Sequence, residues 1–359
     1  MPRILICGGG SGGHVAPAVA VAEALQEKEF EAIIAHSTRR IDQQILLETS
    51  FSCEVLSAAP LKTSPLGLLK FSSGFLRTVV ETSNLIRKHA ACCVVTTGGF
   101  VAAPALFAAR RMSVPTILLN IDKPPGKANR LARRWADVVL STVDWNNVGA
   151  TRIPPPIRIC TIACDDQNTC KASFGLDPSK MTLLVTGASQ GASTINELVP
   201  ELVLRSPKQF QNWQILHLAG ADHVDEVEQA YRQTSIFHVV HEFTNRMGDA
   251  WGAADLAITR GGANTIAEIS CNAVPSIVLP YPYHKDDHQR TNAQHLAEIG
   301  GILIETDYKS LSANLDHAGK SIIQLLANHQ KRFEMQQAIS IDTPLNGASF
   351  IADTVVSLL

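Results

Sequence analysis

The chain has 359 residues, 45% of them hydrophobic and 18% charged, with a formal net charge of −2. At roughly 100 to 200 residues per domain that length implies two hydrophobic cores, and the composition is that of a globular rather than a disordered chain. A near-neutral charge excludes a global attraction to nucleic acid, so contact with an anionic surface has to come from a local patch.

The first apolar run, residues 4–7, breaks into glycines too soon for a signal-peptide core. No stretch approaches the roughly 20 apolar residues of a spanning helix. Eight cysteines, with Cys92 and Cys93 adjacent and no CxxC pair, read as reduced thiols of a cytoplasmic protein. Further apolar runs at 32–35, 94–97, 116–119 and 138–142 each lead through a polar or glycine-rich turn into helical periodicity. A second series follows at 182–186, 214–218, 237–240, 256–259, 276–280 and 301–304. That alternation predicts α/β architecture, two Rossmann-like doubly wound parallel-sheet domains facing each other across a cleft. Ile153-Pro154-Pro155-Pro156-Ile157 excludes helix and suits a stiff connection, giving a boundary near 155–180 and domains 1–160 and 161–344. A last periodic stretch follows the start signal Asp342-Thr343-Pro344 and is expected to pack back on the first domain as a helix over about 345–359.

Gly8-Gly9-Gly10-Ser11-Gly12-Gly13-His14 joins the first strand to a helix over 16–27. Glycines there let backbone N–H groups approach a phosphate, and the helix N-terminus adds partial positive charge. Thr96-Thr97-Gly98-Gly99-Phe100 and Thr186-Gly187-Ala188-Ser189-Gln190-Gly191 stand in the same context. One such loop is equally a tight turn of any α/β protein, whereas three in register argue for phosphate binding. The rival is a dinucleotide-binding dehydrogenase, because Gly8, Gly10 and Gly13 keep the G-x-G-x-x-G spacing. Against it, the second strand ends Ala35-His36-Ser37-Thr38 with no acid for a ribose.

In the second half, the run from Thr259 and Arg260 through Gly261 and Gly262 to Glu268 again leads from a strand into a helix. Amides of Ala263, Asn264 and Thr265 are expected to face a diphosphate, Arg260 to meet its charge, and Glu268 to accept two ribose hydroxyls. The plainer reading has Asn264 or Thr265 capping the helix and Glu268 complementing its dipole. His284-Lys285-Asp286-Asp287-His288-Gln289 supplies amide and imidazole groups for sugar hydroxyls, or is only a solvated turn. It contains no Asp-x-Asp motif, so neither a metal nor a cofactor is expected. His14, where a helix dipole disfavours imidazolium, is the candidate catalytic base. Its plainer role is a hydrogen bond to phosphate or packing of its loop. His217, His223 and His241 are expected at strand ends or on the surface.

In order and over essentially the whole chain, the glycine loops at 8–14, 97–100 and 187–191, the run 260–268 and the His284-Lys285-Asp286 and Gln289 positions resemble the MurG family of GT-B glycosyltransferases. The resemblance implies inverting transfer of N-acetylglucosamine from UDP-GlcNAc to the muramoyl 4-hydroxyl of an undecaprenyl-diphosphate-linked acceptor, lipid I, giving lipid II for peptidoglycan synthesis. It also implies a peripheral location at the cytoplasmic face of the cell membrane and no nucleic-acid partner. By position it places Ser11, Gly12 and Gly13 near the diphosphates. It puts Asp122, Arg158, Ser189, Gln190, Gly191, Phe243 and Thr244 on UDP-GlcNAc, residues 263–268 on diphosphate and ribose, and His288 with Gln289 on the GlcNAc hydroxyls. Asp42, Gly98, Gly99 and Asn129 fall on the acceptor side.

The chain departs from the family pattern at Leu119-Asn120-Ile121-Asp122, where the family has His-Glu-Gln-Asn, at Pro154-Pro155-Pro156, where it has Gly-Asn-Pro before the arginine, and at His288, where it has glutamine. A GT-B enzyme with another acceptor and an inert UDP-sugar-binding protein are the alternatives. For a lipid-linked acceptor, residues 61–88 interleave Leu66, Leu68, Leu69, Phe71, Phe75 and Leu76 with Lys62, Lys70 and Arg77, followed by Arg87 and Lys88. That pattern is either a membrane anchor or a core helix with a solvated cationic face.

Overall fold

The computed structural model describes residues 1–10, 12–47, 49–58, 65–123, 125–145, 149–164, 166–187, 192–283, 287–342 and 346–359, without the side chains of 12, 41, 44 and 65–71. The chain divides into two compact units, Met1–Arg158 with Leu345–Leu359, and Ile159–Pro344.

Among the described residues the first unit holds β1 (Arg3–Gly8), β2 (Glu31–Ser37), β3 (Ser52–Leu56), β4 (Cys93–Gly98), β5 (Thr116–Asn120), β6 (Val138–Ser141) and β7 (Thr151–Arg152). They form one parallel sheet in the order β3-β2-β1-β4-β5-β6-β7. A parallel sheet needs helices on both faces, so β4 and β5 are buried along their whole length rather than on alternate residues. In β1, Ile4 and Ile6 enter one core with Ala18, Val21 and Leu25 of the helix Gly12–Glu27 and Ile351 and Val355 of the helix Gly347–Leu358. Leu5 and Cys7 enter the other core with Ala105, Leu106 and Ala109 of the helix Ala102–Arg111.

The second unit repeats the scheme with β8 (Met181–Thr186), β9 (Trp213–Leu218), β10 (His238–His241), β11 (Leu256–Thr259), β12 (Ser276–Val278) and β13 (Ile302–Ile304), ordered β10-β9-β8-β11-β12-β13 and parallel. Leu183 and Val185 face one core and Leu184 the other.

Three local features stand apart from the sequence reading. Strand β3 carries no apolar run and is largely exposed, because an edge strand is paired on one side only and need not be apolar. Asp342 closes the helix His329–Asp342 rather than starting the last one. The last helix is capped instead by Asn346, whose side chain accepts from Ala348 N at 3.0 Å and also bonds Ile157 N and O. His217 stands at the end of β9, one of its two expected places, but is fully buried. Its Nε2–H donates to Asn196 Oδ1 at 3.1 Å and its Nδ1 accepts from the Tyr231 hydroxyl at 2.9 Å, while burial drives its pKa from 6.5 down to about 3.

In each sheet the order reverses once, between β1 and β4 and between β8 and β11. Connections leave such a point toward opposite faces and open a crevice at the carboxyl ends of the strands, where α/β sheets bind ligands. Three of the four flanking loops are the phosphate-binding candidates 8–13, 98–100 and 187–191, and the fourth is 260–263.

Candidate active site

In the first unit the loops after β1 and β4 touch. Gly99 has φ +77, and a Cβ there would meet the Gly9 carbonyl; a Cβ on Gly98, at φ +103, would lie 2.8 Å from the His14 ring. Only glycine lets the ring seat against this turn. His14 Nδ1 stands 2.9 Å from the Thr97 carbonyl oxygen, and the Thr97 hydroxyl donates back to the His14 carbonyl at 2.7 Å. A carbonyl can only accept, so in the neutral ring Nδ1 carries the proton and Nε2 the lone pair. Asp122 Oδ2 lies 3.8 Å from Nε2, with the His14 side chain 13% exposed and that of Asp122 44%.

Asp122 follows β5, and its backbone is set by a buried amide network. Asn120 Nδ2 donates to Asp122 O at 3.1 Å and to Ser141 Oγ at 3.1 Å, and Asn129 Nδ2 donates to Asn120 Oδ1 at 2.9 Å. Asn129 is therefore a brace, 1% exposed, rather than an acceptor contact. Asp42 is corrected in the same way. It is fully buried, and its Oδ2 accepts from Gly10 N at 2.7 Å and Ser37 Oγ at 2.5 Å, so it holds the glycine loop. Gly12 opens the following helix and Gly13 is exposed, while Ser11 lies outside the described residues.

In the second unit the helix Ala263–Asn272 begins after Gly262 with no side-chain cap, so neither Asn264 nor Thr265 takes the capping role. Among the described residues no side chain caps its first amides, which is the arrangement that receives an anion. Glu268 sits one turn further on, half-buried, and Trp251 Nε1 donates to its Oε2 at 3.0 Å.

Arg260, expected to meet a diphosphate, has both terminal nitrogens committed within its own unit, while its Nε has no partner among the described residues. It is 5% exposed; Nη1 donates to Asp307 Oδ2 at 2.8 Å and Leu279 O at 2.9 Å, and Nη2 donates to Thr194 Oγ1 at 2.7 Å. Burial pushes the Asp307 carboxyl up, but hydrogen bonds from Thr194, Lys309 N, Arg260 and Asn314 together hold it below its ordinary value. A buried cation needs such a partner, and this one ties the end of β11 to the segment after β13.

Gln289 is likewise partly committed, its Oε1 accepting from Gly261 N at 3.2 Å and Tyr281 N at 2.8 Å. His288 is half-buried at the start of the helix His288–Glu298. Phe243 is 56% exposed after β10, and Thr244 Oγ1 accepts from Arg246 N at 3.1 Å. Arg158 is the half-buried last residue of its unit's main segment. Ser189, Gln190, Gly191 and the stretch 284–286 lie outside the described residues.

Two family models match the chain, the glycosyltransferase family 28 N-terminal domain over residues 4–141 and the family 28 C-terminal domain over 182–349. The chain belongs to glycosyltransferase family 28. A relative from Streptomyces avermitilis, named UDP-N-acetylglucosamine–N-acetylmuramyl-(pentapeptide) pyrophosphoryl-undecaprenol N-acetylglucosamine transferase, is 32% identical, covering 94% of this chain and 93% of its own. One of the same name from Corynebacterium diphtheriae is 31% identical over 100% and 97% of the two chains. Among solved structures, Acinetobacter baumannii MurG matches with a TM-score of 0.74 at 21% identity over 99% of each chain. A UDP-GlcNAc 2-epimerase from Neisseria meningitidis matches at 0.66 and 13% over 99% of this chain and 100% of its own. These structural likenesses concern the fold, which is the GT-B fold anticipated from the motifs.

Within this family 28 enzyme, one cluster was only partly legible in sequence. Phe75, on the helix Pro65–His89, packs against Phe107 at 5.9 Å and Trp135 at 6.3 Å between ring centroids, and Phe107 meets Trp135 at 5.1 Å. The Arg111 guanidinium lies 5.9 Å from the Phe107 ring centroid, Leu76 and Val80 are exposed, and so are Arg133 and Arg134. Two expected anchoring cations are already paired, Arg77 with Glu81 at 2.9 Å and Lys88 with Glu54 at 2.6 Å. Lys62 and the Lys70 side chain lie outside what is described.

Proposed function

We infer that this chain transfers N-acetylglucosamine from UDP-GlcNAc, with inversion, to the muramoyl 4-hydroxyl of lipid I. The observation that carries the reading is His14 at a switch-point loop, its Nδ1 proton engaged by Thr97 and its Nε2 lone pair 3.8 Å from Asp122. Such a ring takes the acceptor hydroxyl's proton at Nε2 as that oxygen bonds to the anomeric carbon. The bond from that carbon to the diphosphate breaks at the same time, and UDP leaves with the electron pair. Asp122 then faces an imidazolium, which it stabilises.

The amides opening the helix Ala263–Asn272 receive the diphosphate charge, and Glu268 takes the ribose hydroxyls. Full-length relatives named for this transfer support the choice of donor and acceptor. UDP release assayed with lipid I, with a non-lipid muramoyl acceptor and with no acceptor tests it. Turnover is expected with lipid I; release that needs only another acceptor, or none, would overturn the assignment.

A lipid-linked acceptor also requires work at a bilayer, and this reading puts the protein peripherally at the cytoplasmic face of the membrane. The aromatic cluster Phe75, Phe107 and Trp135 beside Leu76, Arg111, Arg133 and Arg134 fits that surface, with apolar rings next to exposed cations that attract anionic headgroups. Each basic residue near an anionic surface contributes about 1 kcal/mol. Changing Arg111, Arg133 and Arg134 together to glutamate should release the protein from vesicles containing phosphatidylglycerol while UDP binding is kept. Unaltered co-sedimentation would remove this face from consideration.

A further inference from the structure

Glu268 is held before any nucleotide arrives. Trp251 lies on the helix Met247–Ala253, 1% exposed, in a core it shares with Ala250, Ala253, Ile266 and Ile269. Its indole nitrogen donates to Glu268 Oε2 at 3.0 Å. An indole has one donor and no acceptor, so a buried tryptophan needs one partner. A backbone carbonyl would satisfy that need without drawing a carboxylate against a core, which carries a desolvation penalty.

The backbone of Glu268 is fixed as well. Asn272 Nδ2 donates to Glu268 O at 2.8 Å and to Thr161 O at 2.9 Å, while Ala163 N donates to Asn272 Oδ1 at 2.8 Å. Neighbouring Cys271 has its thiol pushed up by burial and then by the Glu268 charge, as a carboxylate kept close to the core requires.

We propose that Trp251 is a positioning residue for nucleotide binding, its indole N–H orienting the Glu268 carboxylate toward the ribose hydroxyls. The proposal rests on the reading of Glu268 as the ribose clamp. A free glutamate side chain loses rotamer freedom when it takes a ligand. One fixed during folding has already lost it, so the fixed side chain binds more tightly for the same contacts. A tryptophan that only filled the core would act on every ligand of this unit alike, whereas an orienting one acts through the ribose hydroxyls.

Dissociation constants of UDP and of 2′,3′-dideoxyuridine diphosphate, measured by calorimetry on the full chain, on Trp251→Phe, on Glu268→Ala and on the double variant, separate the two roles. Trp251→Phe should raise the Kd for UDP about tenfold, the value of one hydrogen bond to a charged group lost from the clamp. It should barely change the dideoxy ligand and should add nothing in the Glu268→Ala background. Equal weakening of both nucleotides, or an undiminished effect without Glu268, overturns the proposal and leaves the clamp standing. An unchanged UDP Kd in Glu268→Ala removes the clamp reading and the proposal with it. Should Trp251→Phe fail to fold, the indole N–H resonance of Trp251, assigned among the four tryptophans by single Trp→Phe changes, gives the answer in the natural protein. It should move on adding UDP and much less on adding the dideoxy ligand, and a resonance indifferent to both refutes the positioning role.

Discussion

Replacing His14 by alanine should leave a folded protein that binds UDP-GlcNAc normally and turns over at least about a hundredfold more slowly, the usual share of a general base. The side chain, 13% exposed, is seated between two loops of the first unit and not in the strand cores, so the sheet should keep its packing without it. What is lost is specific: Nδ1 is engaged by the Thr97 carbonyl at 2.9 Å, and Nε2 is the atom with a lone pair to offer. Donor affinity should be kept because the groups read as taking the diphosphate charge and the ribose, the amides at 263–265 and Glu268, lie in the second unit and are untouched by the change. Single-turnover rates at saturating donor and acceptor are the measurement. A variant within a few fold of the natural rate would assign the proton to some other group.

Replacing Glu268 by alanine should raise the donor KM by about 10- to 150-fold, since a hydrogen bond to a charged group contributes roughly 1.5 to 3 kcal/mol. The change has a second consequence, because it strips the buried Trp251 N–H of its acceptor. An unsatisfied buried donor destabilises a fold by about 1 to 3 kcal/mol. Glu268→Gln separates the two effects. The glutamine carbonyl still accepts from the indole, so thermal stability should return toward that of the natural protein, whereas donor KM should stay raised because the charge is gone. If KM for UDP-GlcNAc is natural in both variants, the ribose is held elsewhere.

Local physics made much of this protein readable from its residues. The runs at 4–7 and 183–185 are apolar without interruption because both faces of a parallel sheet are covered, and the glycine loops follow them because a phosphate-sized ligand needs open backbone. The family and the two-sheet fold followed from those loops in order. Strand β3 was illegible for the same reason that the central strands were plain, since an exposed edge carries no apolar signature. Pairings across the fold were beyond reach of spacing rules. Arg260 was read as a cation for diphosphate, and only the tertiary structure brings Asp307, 47 residues away, into the buried pocket beside it. Asp42 and Asn129 were read as ligand contacts, yet the chain turns both inward to brace loops. Asp122 comes to stand by His14 because β4 lies between β1 and β5, so the helix after β1, seated on Thr97 at the end of β4, meets the residue that follows β5. Periodicity and glycine spacing act between residues a few positions apart and are written in the sequence, whereas a charge's partner depends on which strand ends the sheet order places side by side.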